Sequence, residues 1–123
     1  MSWTVTTATQ KTVVKYKKIE YIPPTDKVLE IAELVAQKTG VEKEIICKII
    51  WAESGYDLDA KHINKNKSTD HGLFQINSQH IPVAKKMGID IMTPEGNAEF
   101  AIYLIKKNGL RDWVYSKSKW SVL

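Results

Sequence analysis

Scarcity sets the first limits on this chain. A single cysteine, Cys47, among 123 residues excludes an intramolecular disulfide and a cysteine-based zinc site. It lies between Ile46 and Lys48 in an apolar stretch, where a small buried hydrophobe is expected. No run approaches the roughly 18 consecutive apolar residues of a membrane-spanning helix, so no span is expected. The first 22 residues lack a secretory signal, because Thr, Gln and Lys interrupt every apolar stretch. The three histidines, His62, His71 and His80, show no metal-ligand spacing and are expected at the surface or rim. No metal or cofactor is implied, and no internal repeat is present.

What remains is an ordinary globular composition. The apolar fraction of 43% argues against wholesale disorder, and the length suits one domain with one core and no staples. The net charge of +4 is moderate. Lysines cluster at Lys11, Lys15, Lys17 and Lys18, at Lys61, Lys65 and Lys67, and at Lys117 and Lys119. Such a surface suits nucleic acid, an acidic polymer such as bacterial cell wall, or simply solvent. No nucleic-acid-binding motif accompanies the lysines, so no nucleic-acid partner is expected, and the chain is expected to be a monomer.

Residues 1–22, rich in Thr, Val, Lys and Tyr, are expected to form an extended N-terminal arm, closed by Pro23 and Pro24. Residues 23–123 are expected to form the domain proper. Thr25-Asp26 offers a helix cap, and Val28, Leu29, Ile31, Ala32, Leu34 and Val35 have helical periodicity ending at Gly40. A second helix is expected from about Val41 to Ser54, stopped by Gly55. Tyr56 to His71 is polar and turn-prone, a loop or short hairpin with no core of its own. A short helix around Ile81–Met87 follows. Thr93-Pro94-Glu95 then starts a last helix, which Asn108-Gly109 stops. The fold class is therefore mainly α, with Trp51 and Trp113 expected in the core.

Two carboxylates stand out. Glu53 continues the apolar stripe of Ile46, Ile49 and Ile50 at helical spacing, close to the end of its helix. Desolvation and the negative end of the helix dipole both favour its protonated form, which suits a general acid. Asp70 comes seventeen positions later, on a polar loop. Two carboxyl groups in unlike surroundings can hold different protonation states, as cleavage of a glycosidic bond requires.

Glu53-Ser54, then Gly72-Leu73-Phe74-Gln75-Ile76-Asn77, then Asn97-Ala98 opening a later helix, resemble the soluble-type lytic transglycosylase domain. Ala60 to His80 is similar to the small enzymes of conjugation and secretion machines and of some phages. Ser68-Thr69-Asp70, with Gly72 and Gln75-Ile76-Asn77-Ser78, also resembles c-type lysozymes. The resemblance covers roughly residues 25–116. It implies a lysozyme-like α+β fold with a cleft, and cleavage of peptidoglycan glycan strands between N-acetylmuramic acid and N-acetylglucosamine. It implies a site of action at the cell wall, periplasmic or extracellular, and a link to a secretion, conjugation or phage assembly. By position it makes Glu53 the acid/base, Ser54 its substrate-orienting neighbour, and Gln75 and Asn77 cleft residues. Asp70 falls where c-type lysozymes place their second carboxylate. The family's later helix usually has Gly four residues and Tyr seven residues after the Asn. Here Ala101 and Leu104 hold those positions, and Tyr103, one residue early, becomes the candidate substrate contact.

Two chemistries stay open at this point, a transglycosylase using Glu53 alone and a hydrolytic lysozyme using Glu53 and Asp70. A non-catalytic wall-binding or phage structural module is the alternative of another class.

Overall fold

The computed structural model describes residues 22–116, with side chains as far as Trp113. The expected N-terminal arm, apart from Ile22, lies outside the described residues, as does Trp120.

Helix α1 (Asp26–Thr39) starts where expected. Thr25 is extended, and its hydroxyl accepts from the Val28 N–H at 3.4 Å. Val28, Ile31, Ala32 and Val35 are buried, whereas Leu34 of the same apolar run faces solvent at 45% exposure. Gly40 ends the helix in a left-handed conformation, φ 77°. Helix α2 (Lys43–Ser54) begins two residues later than the sequence suggests. The Val41 N–H is taken by the Thr39 hydroxyl at 3.2 Å, and Glu42 is still extended. Its stripe of Ile46, Ile49 and Ile50 is fully buried beside Cys47, whose thiol burial pushes above its ordinary pKa. Each such aliphatic side chain contributes ~1.5–3 kcal/mol through its removal from water.

The polar stretch after α2 is a hairpin extended by a third short strand. Strands β1 (Lys61–Ile63), β2 (Thr69–His71) and β3 (Ile76–Asn77) form an antiparallel sheet in that order. β1 is wholly exposed, so the hairpin lacks a core of its own, as expected. A 3₁₀ turn (Ser78–His80) leads into the short helix α3 (Ile81–Lys86). Helix α4 (Pro94–Asn108) is capped by Thr93, whose hydroxyl accepts from the Gly96 N–H at 2.9 Å. A Cβ on Gly96 would lie 1.8 Å from the Asp90 carbonyl oxygen, so only glycine lets this helix start press onto the preceding connection. Helices α1, α2 and α4 pack together around the core, and a 3₁₀ segment (Arg111–Ser116) lies against α2 and α4. At the surface, Lys27 on α1 bonds Glu95 on α4 at 3.0 Å. That hydrogen bond holds the Glu95 carboxyl below its ordinary pKa, so the pair fades as pH falls through the lowered value.

Helix and sheet are joined by Asn97. Its side chain is 1% exposed. Its Oδ1 accepts from the Phe74 N–H at 3.0 Å, and its Nδ2 donates to the carbonyls of His71 at 2.7 Å and Ile91 at 3.0 Å. Gly72, at φ 75°, would place a Cβ 2.6 Å from that carboxamide, so glycine is required there twice over.

Asn97→Ala strands three buried backbone groups and should cost about 3 kcal/mol. For a domain of this size that lowers the melting temperature by roughly 10–20 °C. Asn97→Asp should be at least as damaging, since it aims a carboxylate at two carbonyl oxygens. Thermal unfolding of both variants by circular dichroism checks this.

Candidate active site

The apolar stripe of α2 carries Glu53 to the helix end, where it is half-buried at the mouth of a cleft of about 330 Å³. The same cleft is lined by Asp70, Gln75 and Asn77, all named from the sequence. Phe74, Ile76, Leu104 and Trp113 form its apolar wall, and His80 and Asp112 complete its polar lining.

The sheet register positions Asp70. It pairs with Asn77 across β2 and β3, while His71 pairs with Ile76. Alternation along a strand sends the two pairs to opposite faces. On one face Asp70 and Asn77 bring polar groups to the cleft; on the other His71 and Ile76 are buried, with Ile76 still contributing to the apolar lining. The Asn77 Nδ2 donates to Asp70 Oδ1 at 2.8 Å and to the Ser68 hydroxyl at 3.0 Å. Asn64, from the hairpin turn, donates to Asp70 Oδ2 at 3.2 Å. One amide thus holds each carboxylate oxygen, which fixes the direction of the group. The Asn77 Oδ1 accepts from the Gln79 N–H at 2.9 Å and so caps the 3₁₀ turn as well.

Gln75 is constrained differently. Its backbone is left-handed, φ 51°, uncommon for a non-glycine residue. Its Nε2 donates to the Gly72 carbonyl at 2.9 Å and the Ala60 carbonyl at 3.2 Å, closing the β2–β3 turn onto the start of the sheet. Bonding the loop, for Gln75, and capping a turn, for Asn77, coexist with a place on the cleft wall.

Ser54 and Tyr103 are not among the residues lining this cleft. The Ser54 hydroxyl donates back to the Ile50 carbonyl at 2.9 Å within its own helix. The Tyr103 ring packs on Phe100 at 5.2 Å and carries the Lys107 ammonium 5.7 Å from its centroid. Leu104, one step of about 100° further round the helix, is the residue that reaches the cleft. Sequence reasoning assigned no cleft role to His80, Asp112, Leu104 or Trp113. The seven-residue spacing from Asn97 was the one available signal, and it pointed to Leu104. Trp113 is core, as expected, at 4% exposure, with its indole N–H donating to the Phe74 carbonyl at 2.9 Å.

Comparison with known families matches residues 30–111 to the Transglycosylase SLT domain, well over half of the chain. A mainly helical lysozyme-like fold with a small sheet and a carboxylate-bearing cleft agrees with that match. The chain belongs to the transglycosylase SLT family of the lysozyme-like superfamily, a class of peptidoglycan lytic transglycosylase-type glycosidases. Comparison with curated proteins gave no significant match. Among the described residues, no helix is long and apolar enough to cross a membrane.

Replacing Asn77 by Asp sets two carboxylates against each other across β2 and β3. At neutral pH this should cost about 2 kcal/mol, from the lost amide bonds and like-charge repulsion. The deficit should shrink towards pH 4, because a shared proton restores a hydrogen bond and the folded pair binds it more tightly than the unfolded chain. Asn77→Ala removes the amide bonds without adding a charge, so its deficit should change less with pH than that of Asn77→Asp. Urea denaturation of both variants at pH 7 and pH 4 gives the comparison.

Proposed function

We propose that this domain is a lytic transglycosylase that cleaves the β-1,4 bond between N-acetylmuramic acid and N-acetylglucosamine with Glu53 as its acid and base. The observation that carries this reading is the placement of Glu53 at the end of a buried helical stripe, on the wall of the cleft in a domain of this family. In the first step the Glu53 carboxyl gives its proton to the glycosidic oxygen as the bond to the anomeric carbon breaks. In the second, Glu53 takes the proton of the muramoyl 6-hydroxyl, whose oxygen closes on the anomeric carbon. The product is a 1,6-anhydro sugar, and no water is consumed. Asp70 and Gln75 line the same cleft, beside the space that the oxocarbenium-like sugar would occupy.

One observation favours a second reading. The Asp70 carboxylate is held by an amide on each oxygen, the arrangement expected of a group aimed at a developing positive charge. In that reading Asp70 stabilises or traps the anomeric carbon and water completes a hydrolysis. The place of action on either reading is the cell wall. A role beside a secretion, conjugation or phage assembly accords with the sequence around the hairpin.

Glu53→Gln should lower turnover of purified peptidoglycan by at least about 10³-fold, within the range of general acid–base catalysis, without loss of melting temperature. Mass spectrometry of the wild-type products decides the chemistry. Muropeptides ending in 1,6-anhydro sugar establish the transglycosylase, and reducing ends one water heavier establish the hydrolase. Asp70→Asn should be nearly silent in the first case and severe in the second. Wild-type protein that binds peptidoglycan without product would replace both by a wall-binding module.

A further inference from the structure

Most of the neutral polar groups that line the cleft are committed to the protein. Asn77 uses its amide on Asp70 and Ser68 and its oxygen on Gln79. Gln75 spends its Nε2 on two carbonyls. Asp112, one of three carboxylates in the lining, accepts from Asn108 at 3.1 Å.

His80 is placed otherwise. It closes the 3₁₀ turn that Asn77 caps, and it is half-buried in the cleft wall. Its ring packs on Phe100, centroids 5.1 Å apart and tilted by 48°, and Phe100 is itself fully buried in α4. Packing therefore sets where the imidazole lies. Among the described residues neither ring nitrogen has a hydrogen-bond partner. An imidazole carries at least one N–H in either protonation state, so His80 always has a donor to offer. A donor oriented by packing but unused by the protein is what recognition of an uncharged oxygen requires.

We infer that His80 is a substrate-binding residue whose imidazole N–H donates to a hydroxyl or acetamido oxygen of an N-acetylated sugar in the cleft. The inference rests on the glycosidase reading of that cleft. It assigns His80 to holding the glycan and leaves the proton transfers to Glu53. His80→Phe keeps a ring against Phe100 and removes both nitrogens. His80→Gln restores an N–H donor without the ring.

The test is calorimetric titration of a hexamer of N-acetylglucosamine into wild type, His80→Phe and His80→Gln, each also in a Glu53→Gln background. A neutral hydrogen bond to substrate corresponds to about threefold to tenfold in affinity. His80→Phe should weaken binding by that factor in both backgrounds, and His80→Gln should recover most of it. On peptidoglycan the Phe variant should raise KM by a similar factor and leave kcat within about twofold, with the melting temperature unchanged. Equal affinity in His80→Phe and wild type overturns the inference. So does a loss that tracks a fall in melting temperature and that Gln fails to rescue. Wild type that does not bind the hexamer overturns it too. Because binding is read in the Glu53→Gln background, a wrong acid/base assignment leaves the result on His80 standing.

Discussion

The seating of helix α4 against the sheet that carries the cleft depends on one buried carboxamide. Asn97 satisfies an N–H within the β2–β3 turn, a carbonyl at the end of β2 and a carbonyl in the connection before its own helix. Three backbone groups from three segments would otherwise be buried without partners, a cost of ~1–3 kcal/mol each. Two glycines exist around this arrangement: Gly72 leaves room for the carboxamide, and Gly96 lets the helix start approach Asp90. Without it, helix and sheet would share only apolar contacts, which resist separation but set no register.

The cleft wall is assembled largely from residues that already hold the fold. Gln75 carries a left-handed backbone, a strain of ~1 kcal/mol or more for a non-glycine residue. Its own amide offsets this by bonding the Gly72 carbonyl in the turn and the Ala60 carbonyl just before β1. Trp113 presents an edge to Phe74 at 6.1 Å while its N–H bonds the Phe74 carbonyl. The His80 imidazole, in contrast, is placed in this lining by ring packing.

The parts of this structure legible in the sequence are those fixed by neighbours along the chain. Thr25, Thr93, Gly40, Gly55 and Gly109 mark helix ends because capping is a local matter of a few residues. Glu53 was legible because its stripe of isoleucines repeats at helical spacing. Asp70, Gln75 and Asn77 were legible because one short motif carries all three. His80, Leu104, Asp112 and Trp113 reach the cleft from segments far apart in sequence, so no local pattern marks them. Leu104 shows the limit most clearly. Its position was predicted by spacing from Asn97, but the expected aromatic residue is absent, and the neighbouring Tyr103 drew the assignment instead. The hub role of Asn97 was equally hidden, since an Asn in a first helical turn is ordinary until tertiary packing buries it.

The backbone of Phe74 is held twice from outside its own turn, its N–H by α4 and its carbonyl by the segment after that helix. This bears on time rather than on energy. A cleft floor tied only to its own turn would breathe with that turn, on the rapid local clock of surface loops. Here the Phe74 backbone is bonded by two segments outside its own turn, so freeing it requires both bonds to break. The cleft lining at Phe74 is therefore tied to the helical body of the domain, in contrast to the wholly exposed strand β1 at the sheet's edge.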